Sequence, residues 1–172
     1  TESPANQWNI KVDSSKFATT YDLTQISGGL PDYGLLDHGS SSGATQTLTG
    51  STWNTITFTG AQESDAGVIN ADASTEEIDF VVAGTYRIEY YATWISIVSS
   101  YVLAGIYSDN GSAQLTKSQV QVRSQTGNLS TTVHKVFYHT ATAGETIKLQ
   151  INPDATHTGV GIYSYFIATK VN

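Results

Sequence analysis

The four histidines are the residues of this sequence best suited to metal binding or proton transfer. His134 and His139 lie five positions apart in one run of alternating apolar and polar residues. Because side chains alternate between the two sides of a strand, an odd spacing puts these imidazoles on opposite faces. They therefore do not chelate one metal ion together, and we expect one of them inside the fold or at a subunit interface and the other outside.

The other two histidines each have an aspartate nearby. His157 lies three residues after Asp154, in a segment that follows Pro153, and His38 directly follows Asp37. Each Asp–His pair would supply two metal ligands, but a solvated loop explains both segments more simply. We therefore predict that His38 and His157 lie in loops and hold no metal.

Acidic residues offer a second possible chemistry, the binding of a cation. Asp109-Asn110-Gly111 carries oxygen ligands of the kind that Ca²⁺ prefers, but Asn-Gly is a strong hairpin-turn signal, and we interpret the tripeptide as a turn. A further set of carboxylates is dense along the sequence, and we interpret it as a solubilising surface, with cation binding left open as the alternative. Its members are Glu63, Asp65, Asp72, Glu76, Glu77 and Asp79.

Catalysis has no local signature in this chain. Glu76 and Glu77 are adjacent, so in a strand they point to opposite faces and do not form a carboxylate dyad. Gly39–Gly43 matches the letters Gly-x-Ser-x-Gly, but its composition is that of a flexible linker and no strand-to-helix pattern surrounds it, so we do not interpret it as a nucleophile elbow. Catalytic triads are in any case defined by geometry rather than by sequence position. We predict a protein that is not an enzyme, without catalytic residues, cofactor or metal.

The aromatic residues suggest binding by contact. Ten tyrosines stand against five phenylalanines, which favours a core whose edges reach water or an aromatic contact surface. Tyr90 and Tyr91 must point to opposite faces, Trp53 and Trp94 are expected in the core, and Trp8 is the better candidate for contact with a partner subunit. Five tyrosines are candidates for stacking on sugars, although most are expected in the core or an interface: Tyr33, Tyr101, Tyr107, Tyr138 and Tyr163.

Composition excludes several classes of partner. The net charge is −7, with only 8 basic residues, so a nucleic-acid backbone has little to bind. No apolar run is long enough to span a membrane. Cysteine is absent, which excludes disulfides and thiolate chemistry and favours a bacterial or viral origin.

The elements that position these residues are strands. Between Ile78 and Tyr101 apolar and polar residues alternate, and Ala83-Gly84 interrupts the alternation as a turn. Similar runs recur to the end of the chain without a helical period. Many short strands at this spacing indicate an all-β antiparallel sandwich, jelly roll or barrel. Ten strands are predicted, at residues 45–48, 52–59, 67–71, 77–82, 84–94, 101–107, 114–122, 130–140, 146–151 and 160–170.

Two features concern domains and assembly. Gly39–Gly43 has the composition of a flexible linker, so we divide the chain into a shaft-like or linking segment, residues 1–44, and a head domain, residues 45–172. The runs Trp94–Leu103 and Gly161–Thr169 are apolar at successive positions. A strand with two apolar faces is covered on both sides, which points to oligomerisation.

Several short motifs together resemble the tumour necrosis factor and complement C1q globular-head superfamily. They are Ile56-Thr57-Phe58, then Phe80 with Gly84 and Tyr86, then Ala143–Leu149, and finally Gly161–Ile167. The resemblance covers residues 46–172 and implies a ten-strand antiparallel jelly roll that forms a homotrimer. Glu145 replaces the usual Asp, and no stalk of the receptor or collagen type precedes the head. Both departures argue against the animal branches of the superfamily. A chain without Cys or Met and rich in Thr, Ser and Gly is more similar to its bacteriophage fibre-tip and tail-needle knobs.

The resemblance implies a trimeric viral knob on the virion surface that attaches to a host cell-surface glycan or protein. The N-terminal segment would join it to the rest of the fibre or virion. The last strand would form the trimer interface through Tyr163, Tyr165, Phe166 and Ile167. Two alternatives remain: a monomeric carbohydrate-binding module of a larger secreted protein, and a structural trimeric surface protein of a bacterium or spore.

Overall fold

The computed structural model of the chain describes residues 31–38, 44–96, 99–124 and 129–171. Residues 31–172 form one compact unit. In the described residues no helix has the length and apolar character needed to cross a membrane. The strands are β1 Tyr33–Asp37, β2 Ala44–Leu48, β3 Asn54–Thr55, β4 Gly60–Glu63, β5 Ile69–Asp72, β6 Glu77–Phe80, β7 Gly84–Ser96, β8 Tyr101–Ser108, β9 Ala113–Gln114, β10 Val120–Arg123, β11 Leu129–Ala141, β12 Glu145–Pro153 and β13 His157–Lys170.

The strands form two antiparallel sheets. The first sheet has the order β11-β7-β13-β1-β4, with β2 also paired to β13. The second sheet has the order β10-β8-β12-β6-β5, with β3 paired to β12 and β9 paired to β8. The all-β antiparallel jelly roll predicted from the sequence is confirmed.

The core lies between the two sheets. In β12 every second residue is buried, and Ile147, Leu149 and Ile151 are completely inaccessible to solvent. In β7 the inward residues include Tyr90 and Trp94. Each large apolar side chain that is fully buried contributes about 1.5–3 kcal/mol relative to an exposed one. Burial of the inward residues of these alternating strands is therefore the main source of stability.

A short connection carries the chain from the second sheet to the first. Between β6 and β7 the rings of Phe80 and Tyr86 pack with centroids 4.4 Å apart, and the Tyr86 hydroxyl donates to the carbonyl of Val82 at 2.6 Å. The backbone N–H of Gly144 donates to the carbonyl of Phe80 at 2.7 Å. These contacts give the Phe80, Gly84 and Tyr86 pattern a structural role at one end of the sandwich.

Three differences from the predicted elements have local causes. The strand expected over residues 114–122 is interrupted by a 3-10 turn at Thr116–Ser118, where the Ser118 hydroxyl donates to the carbonyl of Leu115 at 2.6 Å. The strand expected over 52–59 is reduced to two residues, β3. Two strands, β1 and β4, were not predicted: β1 begins shortly after the turn-forming residues Gly28, Gly29 and Pro31, and β4 has no buried residue to give it an apolar period.

β1 lies on the N-terminal side of the boundary that we predict between residues 44 and 45. Its five residues pair with Tyr165–Thr169 of β13. The assignment of residues 1–44 to a shaft or linking segment stays a prediction. Trp8, the Gly39–Gly43 linker and the turn expected at Gly127-Asn128 lie outside the described residues.

Candidate functional site

The outward side of the first sheet carries apolar and aromatic side chains on three of its strands. We call it the aromatic face, and it comprises Tyr91, Val136, Tyr138, Tyr163, Tyr165 and Ile167. In the register of the sheet, Tyr165 lies opposite Tyr91, and Ile167 lies opposite Glu89, which in turn lies opposite Val136. Tyr138 is 59% exposed, Tyr163 42% and Val136 38%. The aromatic face thus crosses three strands and is open to solvent in the single chain.

The four residues predicted for the trimer interface are divided by the alternation of β13. Tyr163, Tyr165 and Ile167 lie on the aromatic face, whereas Phe166 points between the sheets and is completely buried. Phe166 therefore packs in the core of its own chain and has no surface to offer a neighbour. The interface assignment of the other three residues stays a prediction.

A polar cluster around Glu89 lies at the centre of the aromatic face. Glu89 Oε1 accepts a hydrogen bond from the Tyr165 hydroxyl at 2.7 Å and lies 3.0 Å from His134 Nε2, while Arg87 Nη2 is 2.6 Å from Glu89 Oε2. The Tyr165 hydroxyl is the largest influence on this carboxylate, and together these donors lower the pKa of Glu89 to about 2. Glu89 is therefore charged at any ordinary pH, and its charge is held by neighbours within the same chain.

Stacked tyrosines adjoin this cluster. The rings of Tyr91 and Tyr165 are nearly parallel, at an interplanar angle of 7° and a centroid separation of 5.6 Å. Burial and the Glu89 carboxylate raise the pKa of Tyr165 to about 12. The sequence predicted that Tyr90 and Tyr91 face opposite sides, but it did not single out Arg87 and Glu89 as a site, although the alternation of Thr85, Arg87, Glu89, Tyr91 and Thr93 places them on the face of Tyr91.

His134 and His139 face opposite sides, as their spacing predicts. His134 is exposed beside Glu89, whereas His139 is buried at the other side of β11. The prediction of solvated loops for the other two histidines is wrong. His38 is buried, with Nε2 3.0 Å from the Ser164 hydroxyl and its ring stacked on Phe58. His157, the first residue of β13, is buried with Nε2 2.9 Å from the Ser100 hydroxyl, and burial lowers the pKa of both rings.

His139 belongs to a buried polar network centred on Glu145. Glu145 Oε1 lies 2.7 Å from His139 Nε2 and accepts a hydrogen bond from the Ser108 hydroxyl at 2.6 Å, and Oε2 accepts one from the N–H of Thr142 at 3.1 Å. Burial opposes the charge on this carboxylate, but the three donors outweigh burial and lower the pKa of Glu145. The network joins β8, β11 and β12, so its role is to hold strands together.

The acidic residues between 63 and 79 make local contacts. Glu76 Oε2 accepts from the N–H of Phe58 at 2.7 Å, Glu63 Oε2 from the N–H of Ala71 at 3.0 Å, and Glu77 pairs with Lys148 at 2.6 Å. Among the described residues no group of three or more histidines and carboxylates has a metal-binding arrangement. Asp109-Asn110-Gly111 forms the turn between β8 and β9 as predicted, with Gly111 at a φ of +94°.

The aromatic residues predicted for the core or for sugar stacking lie in three different places: the core, the outward side of the first sheet and the outward side of the second sheet. Tyr90 and Trp94 are buried, but the prediction of a core position for Trp53 is wrong. Trp53 lines a surface cleft with Tyr107 on the outward side of the second sheet. Tyr101 is exposed on the same side, while Tyr138 and Tyr163 belong to the aromatic face.

Comparisons with known proteins identify the fold. A scan against protein-family models found no match, and a search of the curated proteins also found none. The globular domain of the zebrafish complement 1qA protein superimposes with a TM-score of 0.56 at 15% identity, covering 83% of this chain and 98% of that chain. The Eiger TNF of S. frugiperda gives 0.57 at 12%, covering 83% and 94%.

The PRD1 vertex protein P5 has the same architecture, with a TM-score of 0.51 at 18% identity, covering 84% of this chain and 100% of that chain. All three identities are low, so the likeness concerns the fold. The two antiparallel sheets of residues 31–171 are therefore a jelly roll of the tumour necrosis factor and C1q type.

Proposed function

We propose that this chain is a non-enzymatic, homotrimeric head: a knob of a bacteriophage fibre or spike that attaches to a receptor on the host cell surface. The observation that carries the proposal is the aromatic face. An antiparallel sheet that faces water on one side normally carries polar residues there, whereas this sheet exposes Val136 and Tyr138 on β11 and Tyr163 on β13. Such a patch marks an interaction surface.

The occupant of the aromatic face is a second and third copy of the same chain. The family resemblance implies a homotrimer, and the aromatic face lies on the sheet that contains β13, whose outward residues we predict for the interface. Arg87 and Glu89 form an ion pair within the chain, so covering the face buries a paired carboxylate rather than a free one. Burying an unpaired charge would oppose association.

The location on a virion is supported by one of the structural neighbours. The PRD1 vertex protein P5 is named for a position at a vertex, and its whole length matches this fold. Residues 1–44 would then connect the head to the fibre or virion, and the head would bind outside the cell. Two alternatives predict different results: a carbohydrate-binding module of a secreted protein would be monomeric, and a structural surface trimer would not bind host cells.

The test is the solution mass of the purified chain, measured by light scattering on a sizing column. We expect a mass of three chains for the wild type and of one chain for Tyr163→Asp, because the new carboxylate would be buried without a partner in the interface. Tyr101→Asp is the matched control, since Tyr101 is 49% exposed on the other sheet, and it should remain trimeric. A wild-type mass of one chain would contradict the trimer and favour the carbohydrate-binding module.

Binding to cells separates the two trimeric alternatives. A fluorescently labelled trimer should bind the surface of the host bacterium and compete with the intact virus for adsorption. A trimer that binds no cells among a panel of candidate hosts would favour the structural surface protein. Phe166→Asp does not serve as an interface variant, because a charge at this position would lie in the core of the chain itself.

A further inference from the structure

The outward side of the second sheet contains a cleft whose volume is about 400 Å³. Its lining consists of Trp53, Tyr107, Ser112, Ala113, Gln114 and Gln150. Small-molecule sites in proteins have volumes of about 300–1,000 Å³, so the cleft has the size of a site for a small ligand. It belongs to the sheet that does not carry the aromatic face, and it therefore stays accessible in the proposed trimer.

Backbone and side-chain contacts hold the two aromatic walls of the cleft in place. Trp53 directly precedes β3, and the neighbouring Asn54 side chain accepts from the N–H of Thr49 at 2.8 Å and donates to the carbonyl of Ile151 at 3.2 Å. Tyr107 is the seventh of the eight residues of β8 and is paired with Gln114 of β9. The backbones that carry the two rings are thus held by a paired strand and by the hydrogen bonds of Asn54, which limits the entropy lost when a ligand binds.

A row of amide groups crosses the strands beside these rings. Gln114 donates to Gln150 Oε1, and Gln150 Nε2 donates to the Thr55 hydroxyl at 3.1 Å. Gly105 leaves room beside this row, because a Cβ at that position would lie 3.0 Å from Gln114 Oε1. The row and the Ser112 hydroxyl provide hydrogen-bonding groups in the same cleft as the two aromatic residues.

This combination matches the chemistry of a saccharide. A pyranose ring has apolar C–H faces that pack against aromatic rings, which combine a large apolar surface with a polar tip, and its hydroxyls exchange hydrogen bonds with amides and hydroxyls. None of the six lining residues carries a charge, and the chain as a whole has a net charge of −7. A neutral sugar fits this site better than an acidic one, which would lack a cationic partner.

We propose that the cleft is a subsite for a neutral hexose or N-acetylhexosamine of a cell-surface glycan. This inference rests on the proposed function, because it assigns the receptor contact of the head to a place and a ligand class. Trp53 and Tyr107 would hold the faces of the sugar ring, and Gln114, Gln150 and Ser112 would select its hydroxyls. The three copies of the cleft in a trimer would face outward.

The experiment compares binding of the full chain to immobilised neutral and acidic oligosaccharides, drawn both from bacterial surface polysaccharides and from glycoproteins. We expect the wild type to bind neutral structures, and Trp53→Ala and Tyr107→Ala each to weaken that binding by about tenfold or more. Tyr101→Ala is the control, because Tyr101 is an exposed tyrosine on the same strand as Tyr107, outside the cleft. Circular dichroism and the solution mass verify that each variant is folded and trimeric.

Each other outcome overturns a distinct statement. Unchanged saccharide affinity in both cleft variants would show that the sugar binds outside the cleft, although the receptor would still be a glycan. Binding to acidic oligosaccharides alone would overturn the neutral class. Adhesion to host cells without binding to any saccharide would overturn the ligand class but not the proposed attachment function. Failure to bind both cells and saccharides would overturn that function together with the subsite.

Discussion

At the scale of single residues, Glu145 is the carboxylate with the most structural consequence. It is buried at one end of the sandwich, and its carboxylate is hydrogen-bonded to the Ser108 hydroxyl, the backbone N–H of Thr142 and the His139 imidazole. A group with a lowered pKa in the folded state stabilises the fold above its ordinary pKa, and this stabilisation is lost as the pH falls through the folded value. Glu145 therefore ties the stability of the fold to pH on the acidic side.

We expect Glu145→Gln to lower the free energy of unfolding at neutral pH by about 1–3 kcal/mol, because an amide cannot accept from the same donors with equal strength. The free energy of unfolding of the variant should also fall less steeply with decreasing pH, below the ordinary pKa of a glutamate, than that of the wild type. The measurement is denaturant unfolding across pH at a fixed protein concentration. Glu77→Gln is the control, because its surface ion pair with Lys148 is worth about 0–1 kcal/mol.

The buried histidines show where local sequence stops being informative about a single residue. His38 and His157 are each next to turn-forming or acidic residues, and this neighbourhood favoured a loop. Their burial depends on partners far away along the chain, Ser164 for His38 and Ser100 for His157. Strand alternation, in contrast, is a local property, and it correctly separated His134 from His139 and Tyr90 from Tyr91.

At the scale of elements, the long strands were predictable because each is a run of six or more strand-forming residues between turn signals, either alternating, as in β7 and β12, or apolar at successive positions, as in β13. β7, β8, β11, β12 and β13 all lie close to their expected bounds. β4, Gly60–Glu63, has only exposed or half-buried residues, so it has no apolar period to detect. The prediction of a core position for Trp53 was wrong for a related reason. The strand that follows it has only two residues, so no alternation indicates which face of the sheet Trp53 lies on.

The turns are elements whose chemistry can be tested directly. Gly144 connects β11 to β12 with a φ of +82°, and a Cβ at this position would contact nothing within 4 Å. Gly144→Ala should therefore lower the free energy of unfolding by about 1–2 kcal/mol through backbone strain alone. Gly144→Asn should lose less, because asparagine tolerates the left-handed region better than alanine does.

Thermal unfolding of these two variants at equal concentration measures the effect. Gly84→Ala provides the comparison, because this glycine has no positive φ and its added Cβ would make only ordinary contacts, 3.6 Å from Lys170 Cε and 3.7 Å from Tyr86 Cε2. An equal loss of stability for Gly84→Ala and Gly144→Ala would contradict an explanation by backbone conformation.

At the scale of the whole molecule, the proposed trimer turns three weak sites into one strong attachment. Multivalent binding to a dense surface exceeds the affinity of a single site by about 10²–10⁴-fold. We expect wild-type trimers to remain on a saccharide-coated surface far longer than the monomeric Tyr163→Asp variant, measured by surface plasmon resonance. Both forms should bind a free monosaccharide in solution equally, because the cleft lies within one chain.

Lowering the density of saccharide on the surface is the control for this prediction. The difference between trimer and monomer should disappear once the sugars are too far apart for one trimer to engage two of them. A difference that persists at the lowest density would show that the subunits change the cleft itself, which would contradict a site made by one chain.

The position of β13 has a consequence for how the head is made. This strand pairs with β7 on one side and with β1 and β2 on the other, yet it is the last strand along the chain. Until residues 157–170 have been synthesised, the first sheet has a gap in its middle, and the edges of β7 and β1 lack their partners. Unpaired strand edges invite association with other chains, and the proposed trimer would bring three such chains together. In that assembly, unfinished heads would have to stay apart until the final strand is in place.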